Sequence, residues 1–299
     1  MSSKKQTISF LQRRFAEVGF RPYARHGQNF LIDLNLLDLI TRAADIQPDD
    51  VVLEVGTGTG SLTVRLAERA AHVVTVEIDP HLAQMAEEQF APDAPITLLQ
   101  HDALKNKNQL HSAVIETVRK HLDATSDGQF KLVANLPYSV ATPIISNLLL
   151  NTLPPASMTV TIQKELADRI VAQPRTKDYS SLSVWVQCQC AAMILRELAP
   201  SVFWPRPKVT SAIVQIVLDP IKRASIDKLE SYQTFVRGLF LHRRKFLRGA
   251  LVGAFAELDK PTVDHAMQQL GLGAEARAEE LTVDQIQQLS LALEAAQSR

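Results

Sequence analysis

The stretch Glu54-Val-Gly56-Thr-Gly58-Thr-Gly60 decides the fold of this 299-residue chain. It begins inside the apolar run Val51–Val55, and a helix-like segment follows it from Ser61. A buried strand, a glycine turn and a helix therefore succeed one another. Glycines at such a turn let the backbone bend sharply and let a ligand approach main-chain atoms. The stretch predicts the first strand and the first helix of an α/β fold, with a ligand site at the turn.

Strand-like and helix-like segments alternate up to residue 219, which predicts a parallel sheet with helices on both faces. The predicted strands are Val51–Val55, Val73–Glu77, Ile96–Gln100, Phe130–Ala134, Met158–Ile162, Met193–Leu198 and Ser211–Leu218, and a helix is predicted over 106–122. The last two strands fit the class I methyltransferase variant of the doubly wound sheet, in which the last strand runs antiparallel. From residue 220 the pattern is helical only, with segments near 228–256, 262–269 and 282–297. We predict a Rossmann-like α/β domain over 1–219 and a small all-helical domain over 220–299.

Two acidic residues follow neighbouring predicted strands. Glu77 ends the second strand, about 20 residues after Gly56, where nucleotide-binding folds place the acid that accepts from ribose hydroxyls. Asp102 follows the third strand and is suited to accept from an adenine amino group. Taken singly, each acid is equally consistent with a strand-end cap, and NAD-binding folds, methyltransferases and tight turns all use such glycines. Because the carboxyl ends of parallel strands meet at one edge, the coincidence predicts a cofactor site that contains Gly56, Gly58, Glu77 and Asp102.

The tetrapeptide Asn135-Leu136-Pro137-Tyr138 directly follows the fourth predicted strand. Adenine N6 is a weak nucleophile because its lone pair is delocalised into the ring, and two acceptors aimed at its N–H bonds favour the reactive, pyramidal geometry. The Asn135 side-chain oxygen and the Leu136 carbonyl are candidate acceptors, Pro137 fixes the turn, and Tyr138 offers a ring for a flipped-out base. In isolation, the same residues could form an ordinary turn with a packing tyrosine. After a nucleotide-type half-fold, we interpret them as a methyl-transfer site that requires no metal and no catalytic base.

Charge is unevenly distributed in a chain whose formal net charge is zero. Residues 1–28 contain six basic side chains against one acidic, 221–250 contain eight against two, and 257–299 contain three against eight. Two basic segments in a neutral protein indicate either a local polyanion site or solvated helix faces. On a helix predicted over 235–255, three arginines share one face. The candidate RNA contacts are Arg237, Arg243, Arg244, Lys245 and Arg248.

Other features limit the class of protein. The two cysteines, Cys188 and Cys190, are too few for a zinc site, and no apolar run approaches the roughly 18 residues of a membrane span. We therefore expect a cytoplasmic protein with no membrane partner. Residues 1–15 are basic without acids, as in a mitochondrial transit peptide, but Ile8, Leu11 and Phe15 stand at helical spacing and favour a native helix.

Taken together, the ordered motifs resemble the ribosomal RNA adenine dimethyltransferase family, and most closely its bacterial small-subunit branch. The resemblance covers nearly the whole chain. Its motifs are Gly27-Gln-Asn29-Phe-Leu31, the Glu54 glycine stretch, Glu77, Asp102, Asn135–Tyr138, Thr142-Pro143, Gln163-Lys164-Glu165, Tyr179-Ser-Ser-Leu-Ser183, Phe203-x-Pro205-x-Pro207-Lys-Val209 and Arg243-Arg244-Lys245. The chain differs from the residues usual in this family at His26, Thr57 and Phe246, the last of which replaces a small polar residue. The stretch from Asp102 to Phe130 is also longer than is usual in the family.

The resemblance implies a function and adds site residues. It implies methylation of N6 of two adjacent adenosines near the 3′ end of small-subunit rRNA, with S-adenosylmethionine as donor, by a monomer. Asn29 and Leu31 would close over the methionine end of the donor, Asn135 would complete its pocket, and Phe203 would form the other face of the target-base slot. From the residues alone, Asn29 is a loop residue and Phe203 a core aromatic. Two alternatives stay open: a resistance-type large-subunit adenine methylase, and an assembly factor or mitochondrial transcription factor built on the same fold.

Overall fold

The computed structural model describes residues 8–20, 22 and 28–297. The basic residues Lys4, Lys5, Arg21 and Arg25 and the motif positions His26 and Gly27 lie outside this part of the chain. The strands are β1 (Phe30–Leu31), β2 (Val51–Val55), β3 (His72–Val76), β4 (Ile96–Leu99), β5 (Leu104–Asn106), β6 (Gln109–Leu110), β7 (Phe130–Asn135), β8 (Ser157–Gln163), β9 (Cys190–Leu198), β10 (Phe203–Trp204) and β11 (Ser211–Leu218).

Helices follow most of these strands. They are α1 (Ile8–Glu17), α2 (Leu34–Ala43), α3 (Ser61–Ala67), α4 (Pro80–Glu87), α5 (Ser112–Leu122), α6 (Ala141–Leu150), α7 (Lys164–Val171), α8 (Ser181–Gln187), α9 (Pro220–Ala224), α10 (Leu229–Phe240), α11 (Leu247–Ala254), α12 (Lys260–Gln269) and α13 (Val283–Gln297). Among the described residues, none of these helices is both long and apolar enough to cross a bilayer.

The central sheet has seven strands in the order β4-β3-β2-β7-β8-β11-β9. Strands β4, β3, β2, β7 and β8 run parallel to one another, and β11 pairs antiparallel with β8 from Ser211 opposite Gln163 to Val217 opposite Ser157. All five residues of β2 are buried, as expected of a parallel strand that is covered on both faces. The predicted architecture is confirmed: a doubly wound, mainly parallel sheet with an antiparallel last strand and a helical C-terminal part.

Backbone contacts divide the chain into two compact units. The first comprises residues 1–167 and 193–217, and the second comprises 168–192 and 218–299. The segment 168–192 therefore clusters with the C-terminal helices, because α8 packs on α10, whereas the sequence placed it in the domain 1–219. The functional division of the chain at residue 219 stays a prediction.

Within the second unit, the helix predicted over 235–255 is wrong. Helix α10 ends at Phe240, a turn follows, and α11 begins at Leu247. The break is fixed from outside the segment, because Phe246 pairs with Arg277 in an antiparallel bridge and the Leu247 N–H donates to the Ala276 carbonyl at 2.7 Å. The basic side chains of 237–248 therefore lie on two helices and a turn, not on one helical face.

Two other local predictions have different outcomes. The start of the stretch 106–122 is a hairpin of β5 and β6, and α5 begins only at Ser112, where the His111 side chain accepts from the Ala113 N–H as the N-cap. The capping box at the start of α13 is confirmed, since the Thr282 N–H donates to the Gln285 side chain and the Gln285 N–H to the Thr282 hydroxyl.

A histidine pair joins β3 to α5. The rings of His72 and His121 stack with centroids 3.4 Å apart, and His72 Nε2 lies 2.8 Å from the Thr97 hydroxyl. Burial, together with the neighbouring His121 and Lys120, lowers the pKa of His72 to about 4. Burial also lowers the pKa of His121, with a smaller contribution from Lys120. The folded state therefore disfavours the protonated pair.

We expect this pair to make stability depend on pH. An unfolded histidine takes up its proton near pH 6.5, so the stability due to His72 is complete above about pH 6.5 and is lost as the pH falls toward 4. The wild-type free energy of unfolding should fall between about pH 7 and about pH 5. His72→Gln, which keeps an amide near Thr97, should make this fall smaller by about 1 kcal/mol. Thermal unfolding at both pH values measures this loss. The exposed His81→Gln is the matched control, and an equal loss in all three proteins would contradict the assignment.

Candidate active site

A cavity of about 300 Å³ lies in the first unit, at the carboxyl ends of β2, β3 and β7. Seven predicted site residues line it: Asn29, Gly56, Gly58, Glu77, Asp102, Asn135 and Pro137. The residues that the sequence analysis missed are Gln28, Phe30, Val55, Val76, Ile78, Leu82, His101, Ala103, Ser139 and Val140. A volume of this order and a largely apolar lining with few polar groups are typical of small-molecule sites.

The glycine turn forms one wall of the cavity. Gly56 and Gly58 have φ of +86° and +56°, a region that side-chain-bearing residues rarely adopt. A Cβ at Gly56 would lie 3.2 Å from the Pro137 ring, and one at Gly58 would lie 3.2 Å from the Phe30 ring. The glycines therefore allow the backbone to line the cavity at close range, and the approach to Pro137 brings the turn beside the Asn135–Tyr138 motif.

Glu77 holds this turn from the next strand. Its carboxylate accepts from the Gly58 N–H at 2.9 Å and from the Asp79 N–H at 3.0 Å. Burial raises the pKa of Glu77, and the two backbone donors oppose that shift. A buried carboxylate with both oxygens fixed in this way keeps further lone pairs for hydroxyl donors of a ligand.

Glu54 does not line the cavity but is hydrogen-bonded to residues beside the glycine turn. Its side chain is 1% exposed and accepts from the Thr63 hydroxyl at 2.6 Å and the Thr75 hydroxyl at 2.7 Å. Burial raises the pKa of Glu54 to about 8. Thr57 is buried and shares a 2.6 Å hydrogen bond with Thr75. A local network of hydroxyl groups thus fixes the turn.

Asp102 and two apolar residues, Ile78 and Ala103, also line the cavity. One Asp102 oxygen accepts from the Leu104 N–H at 2.9 Å, and the other has no partner among the residues that the structure describes. Ile78 is 58% exposed although it is apolar, and it lines the cavity together with Asp102 and the buried Ala103. Their position directly after Glu77 and Asp102 is the sequence signal that could have identified both.

Asn135 is the last residue of β7, and its amide is asymmetrically bonded. The Nδ2 group donates to the Asn29 carbonyl at 2.9 Å, whereas the buried Oδ1 atom has no partner within the described part of the chain. Leaving a buried acceptor unpaired costs about 1–3 kcal/mol, so such an atom on a residue that lines a cavity marks a place where a ligand can complete the site. Asn135 and Asn29, predicted from separate motifs, are joined directly.

The other residues of the tetrapeptide have structural partners. The Leu136 N–H donates to the Thr161 carbonyl at 3.1 Å, and the Val140 N–H donates to the Pro137 carbonyl at 3.0 Å. The Tyr138 hydroxyl is hydrogen-bonded to the Ser211 hydroxyl, and burial raises the pKa of Tyr138. The Tyr138 ring is partly buried and does not line the cavity described above.

Two predicted site residues lie in the core instead. Leu31 and Phe203 pair across β1 and β10, are 4% and 2% exposed, and pack in one apolar cluster. Neither side chain lines the cavity. The interpretation of Phe203 as a core aromatic, made from the residues alone, therefore describes its position better than the assignment to a base slot. Strand β1 pairs with β10 in a separate two-stranded sheet, where the Leu31 side chain packs in the apolar cluster and the neighbouring Phe30 lines the cavity.

The candidate RNA contacts lie in the second unit, where they differ in their surroundings. Arg243 donates to the carbonyls of Lys177 and Tyr179 at 2.9 and 3.0 Å, and Arg248 pairs with Asp264 at 2.6 Å. The exposed candidates are Arg237, Arg244, Lys245 and Arg248.

A family model described as ribosomal RNA adenine dimethylase matches residues 20–295. The chain belongs to this family. The predicted membership of the adenine dimethylase family is thereby confirmed, and with it the enzyme class, an S-adenosylmethionine-dependent rRNA adenine methyltransferase.

Relatives of this dimethylase match most of its length. It is 40% identical over 259 residues to the ribosomal RNA small subunit methyltransferase A of Pediococcus pentosaceus, covering 86% of this chain and 84% of the relative. It is 36% identical over 285 residues to the enzyme of the same name from Alkaliphilus oremlandii, covering 95% of both.

Among solved structures, the fold of this chain resembles that of a dimethyladenosine transferase from Plasmodium falciparum. The TM-score is 0.71 and the identity 23%, and the match covers 88% of this chain and 97% of that one. The fold also resembles that of the 23S rRNA methyltransferase ErmE (TM-score 0.63, 26% identity, 89% of this chain and 100% of that one).

We expect Asp102→Ala to weaken the affinity of this dimethylase for S-adenosylmethionine by about tenfold to a hundredfold, because loss of a charged acceptor costs about 1.5–3 kcal/mol. Calorimetry measures the affinity. The control is Asp93→Ala, which removes an exposed acid before β4 rather than after it. An affinity for Asp102→Ala equal to that of the control would exclude Asp102 from the donor site.

Proposed function

We propose that this enzyme transfers methyl groups from S-adenosylmethionine to N6 of two adjacent adenosines near the 3′ end of small-subunit rRNA during ribosome biogenesis. Relatives at 36–40% identity that are named ribosomal RNA small subunit methyltransferase A support the choice of subunit. The observation that carries the chemistry is the unpaired side-chain oxygen of Asn135, a residue that lines the cavity. The enzyme would act in the cytoplasm as a monomer.

The cavity fits the methyl donor. Glu77 would accept from the ribose hydroxyls, the free Asp102 oxygen would accept from the adenine amino group, and Ile78 would pack on the adenine ring. The backbone at Gly56 and Gly58 and the residue Asn29 would enclose the methionine part, where any Cβ on the glycines would crowd Pro137 and Phe30. When bound, the sulfonium supplies an electrophilic methyl group and leaves as a neutral thioether.

The chain's own contribution is to orient the nucleophile. The Asn135 Oδ1 atom and the Leu136 carbonyl would accept from the two N–H bonds of adenine N6 and release its lone pair for attack on the methyl carbon. Because the Asn135 Nδ2 group is fixed on the Asn29 carbonyl, Oδ1 is held in place before the base arrives. The N–C bond forms as the C–S bond breaks, and the proton of the product passes to water.

Tyr138 would provide the stacking surface for the flipped-out adenine. Its hydroxyl is anchored on Ser211 of β11, which limits rotation of the ring. The buried Phe203 packs elsewhere, and we do not include it in the base slot.

The test is nucleoside mass spectrometry after incubation of the enzyme and S-adenosylmethionine with unmodified small or large ribosomal subunits. We expect dimethyladenosine on small-subunit rRNA only. Product on the large subunit alone would favour the resistance-type large-subunit methylase, which would use the same chemistry. The 23S rRNA methyltransferase ErmE, which has a similar fold, is 26% identical to this chain. No product on either subunit would favour a binding-only assembly or transcription factor.

A further inference from the structure

We propose that Phe246 and Arg277 of the second unit form a stacking subsite for one unpaired base of the RNA substrate, with Arg244 and Lys245 contacting the adjoining phosphates. This inference rests on the proposed function only for the identity of the RNA. The site lies within the second unit and contains none of the residues that line the methyl-donor cavity.

The aromatic side chain is exposed and held in place. Phe246 is 48% exposed, and the Arg277 guanidinium carbon lies 5.5 Å from its ring centroid, over one face. The two residues pair in a backbone bridge, and the Arg277 N–H donates to the Glu280 carboxylate at 3.1 Å. An exposed aromatic ring beside a planar cation is the kind of surface on which proteins stack the bases of single-stranded nucleic acid.

One of the two concavities beside the ring favours a polyanion, whereas Glu275 and Glu280 line the other. A concavity of about 620 Å³ is lined by four basic residues (Arg244, Lys245, Arg248, Arg277) and one acidic residue, Asp264. Asp264 is paired with Arg248. The side chains of Arg244 and Lys245 have no hydrogen bond or ion pair with any residue that the structure describes. They are thus available to phosphates, which select no sequence but hold the strand.

A glycine leaves room for the base. Gly249 lies in the first turns of α11 and lines the concavity, and a Cβ built on it meets nothing within 4 Å. Glycine inside a helix costs roughly 0.5–1 kcal/mol relative to alanine, and no packing contact here requires it. Gly253, one turn further on, is equally open but does not line the concavity, so it provides a matched position.

The occupant is single-stranded RNA rather than a duplex. Side chains cannot read the deep, narrow major groove of A-form RNA, and an aromatic face can stack only on a base that is already unstacked. An aromatic ring next to unpaired basic side chains in one concavity matches the alternating bases and phosphates of a nucleic acid strand better than it matches a protein surface. The charge and the ring together therefore specify an unpaired nucleotide.

The experiment compares two short, unstructured RNA strands of equal length, one intact and one in which every nucleotide lacks its base. Binding to the full chain is measured by fluorescence anisotropy without methyl donor. Phe246→Ala should weaken binding of the intact strand by about tenfold and leave binding of the abasic strand unchanged, and Phe246→Trp should restore it. Ile221→Ala, which truncates another exposed apolar side chain, is the control.

Two further arms separate packing from charge. Gly249→Leu should weaken binding of the intact strand by about tenfold, whereas Gly253→Leu should not, although both place the same side chain on the same helix. Replacing Arg244 and Lys245 by alanine should weaken both strands and reduce the slope of log affinity against log salt by roughly one to two.

Equal losses for the intact and abasic strands in Phe246→Ala, or equal affinities of the two leucine variants, would overturn the stacking subsite. Because no methyl donor is present, these outcomes are independent of catalysis. Base-dependent RNA binding without methylation of either ribosomal subunit would reject the proposed function but support the subsite. Methylation of the small subunit without base-dependent binding would reject only the subsite.

Discussion

Asn135→Ala should lower the single-turnover rate of adenine methylation by about 100-fold to 1000-fold, the loss typical of removing one preorganised hydrogen-bonding group from a reaction centre. The unpaired Oδ1 atom would meet the N6 hydrogens when the base is bound, and its effect is largest when the nitrogen is pyramidal in the transition state. Rapid-quench mixing with saturating S-adenosylmethionine and saturating RNA measures the rate.

The control for this prediction removes a similar hydrogen bond, from an asparagine side chain to a backbone carbonyl, at a position away from the cavity. Asn147 is also a buried asparagine, and its Nδ2 group donates to the Lys107 carbonyl at 3.2 Å, but it does not line the cavity. Asn147→Ala should cost stability without slowing methyl transfer. Because Asn135→Ala also frees the Asn29 carbonyl, a change of a few-fold in donor affinity is expected. Comparable rates in the two variants would refute the role of Asn135.

Glu77→Ala should raise the Kd for S-adenosylmethionine by about 100-fold or more. The substitution removes the acceptor for the ribose, at a cost of about 1.5–3 kcal/mol, and it leaves the N–H groups of Gly58 and Asp79 without their partner. The glycine wall of the cavity therefore loses its support at the same time. Calorimetry and thermal unfolding together separate lost affinity from lost folding.

Glu54→Gln is the matched control for Glu77. At pH 7 the Glu54 carboxyl, with a pKa of about 8, is mainly protonated, so glutamine resembles its neutral form and can still accept from Thr63 and Thr75. We expect a donor affinity within a few-fold of the wild type. A large loss in Glu54→Gln with a small loss in Glu77→Ala would reverse the assignment of the two acids.

Much of the fold and the centre of the site follow from the sequence. Polar residues directly after predicted parallel strands must meet at one sheet edge, which is why Glu77, Asp102 and Asn135 could be placed together without coordinates. The apolar lining could not be found in this way. Ile78 and Phe30 have the same residue types as core positions, and only the geometry of the turns decides which of them faces the cavity.

The sequence failed where distant segments determine local structure. The apolar spacing of helices runs on through the segment between Phe240 and Leu247, so periodicity alone predicts one helix there. The break depends on a backbone bridge to Arg277. The burial of the Leu31 side chain did not follow from the sequence for a related reason, since a motif position specifies a residue type but not which way a two-residue strand turns its side chain. The functional roles of Leu31 and Phe203 stay predictions.

The carbonyl contacts of Arg243 affect how alanine scanning of the Arg243-Arg244-Lys245 motif is interpreted. Arg243 bonds two backbone carbonyls and pairs with Glu279 at 3.5 Å, so it joins three separate stretches of the second unit. A triple-alanine block would remove this brace together with the two outward cations. Poor expression or rapid proteolysis of such a protein would then be mistaken for weak ribosome affinity. Scanning the motif one position at a time keeps the scaffold intact and assigns each loss to its cause.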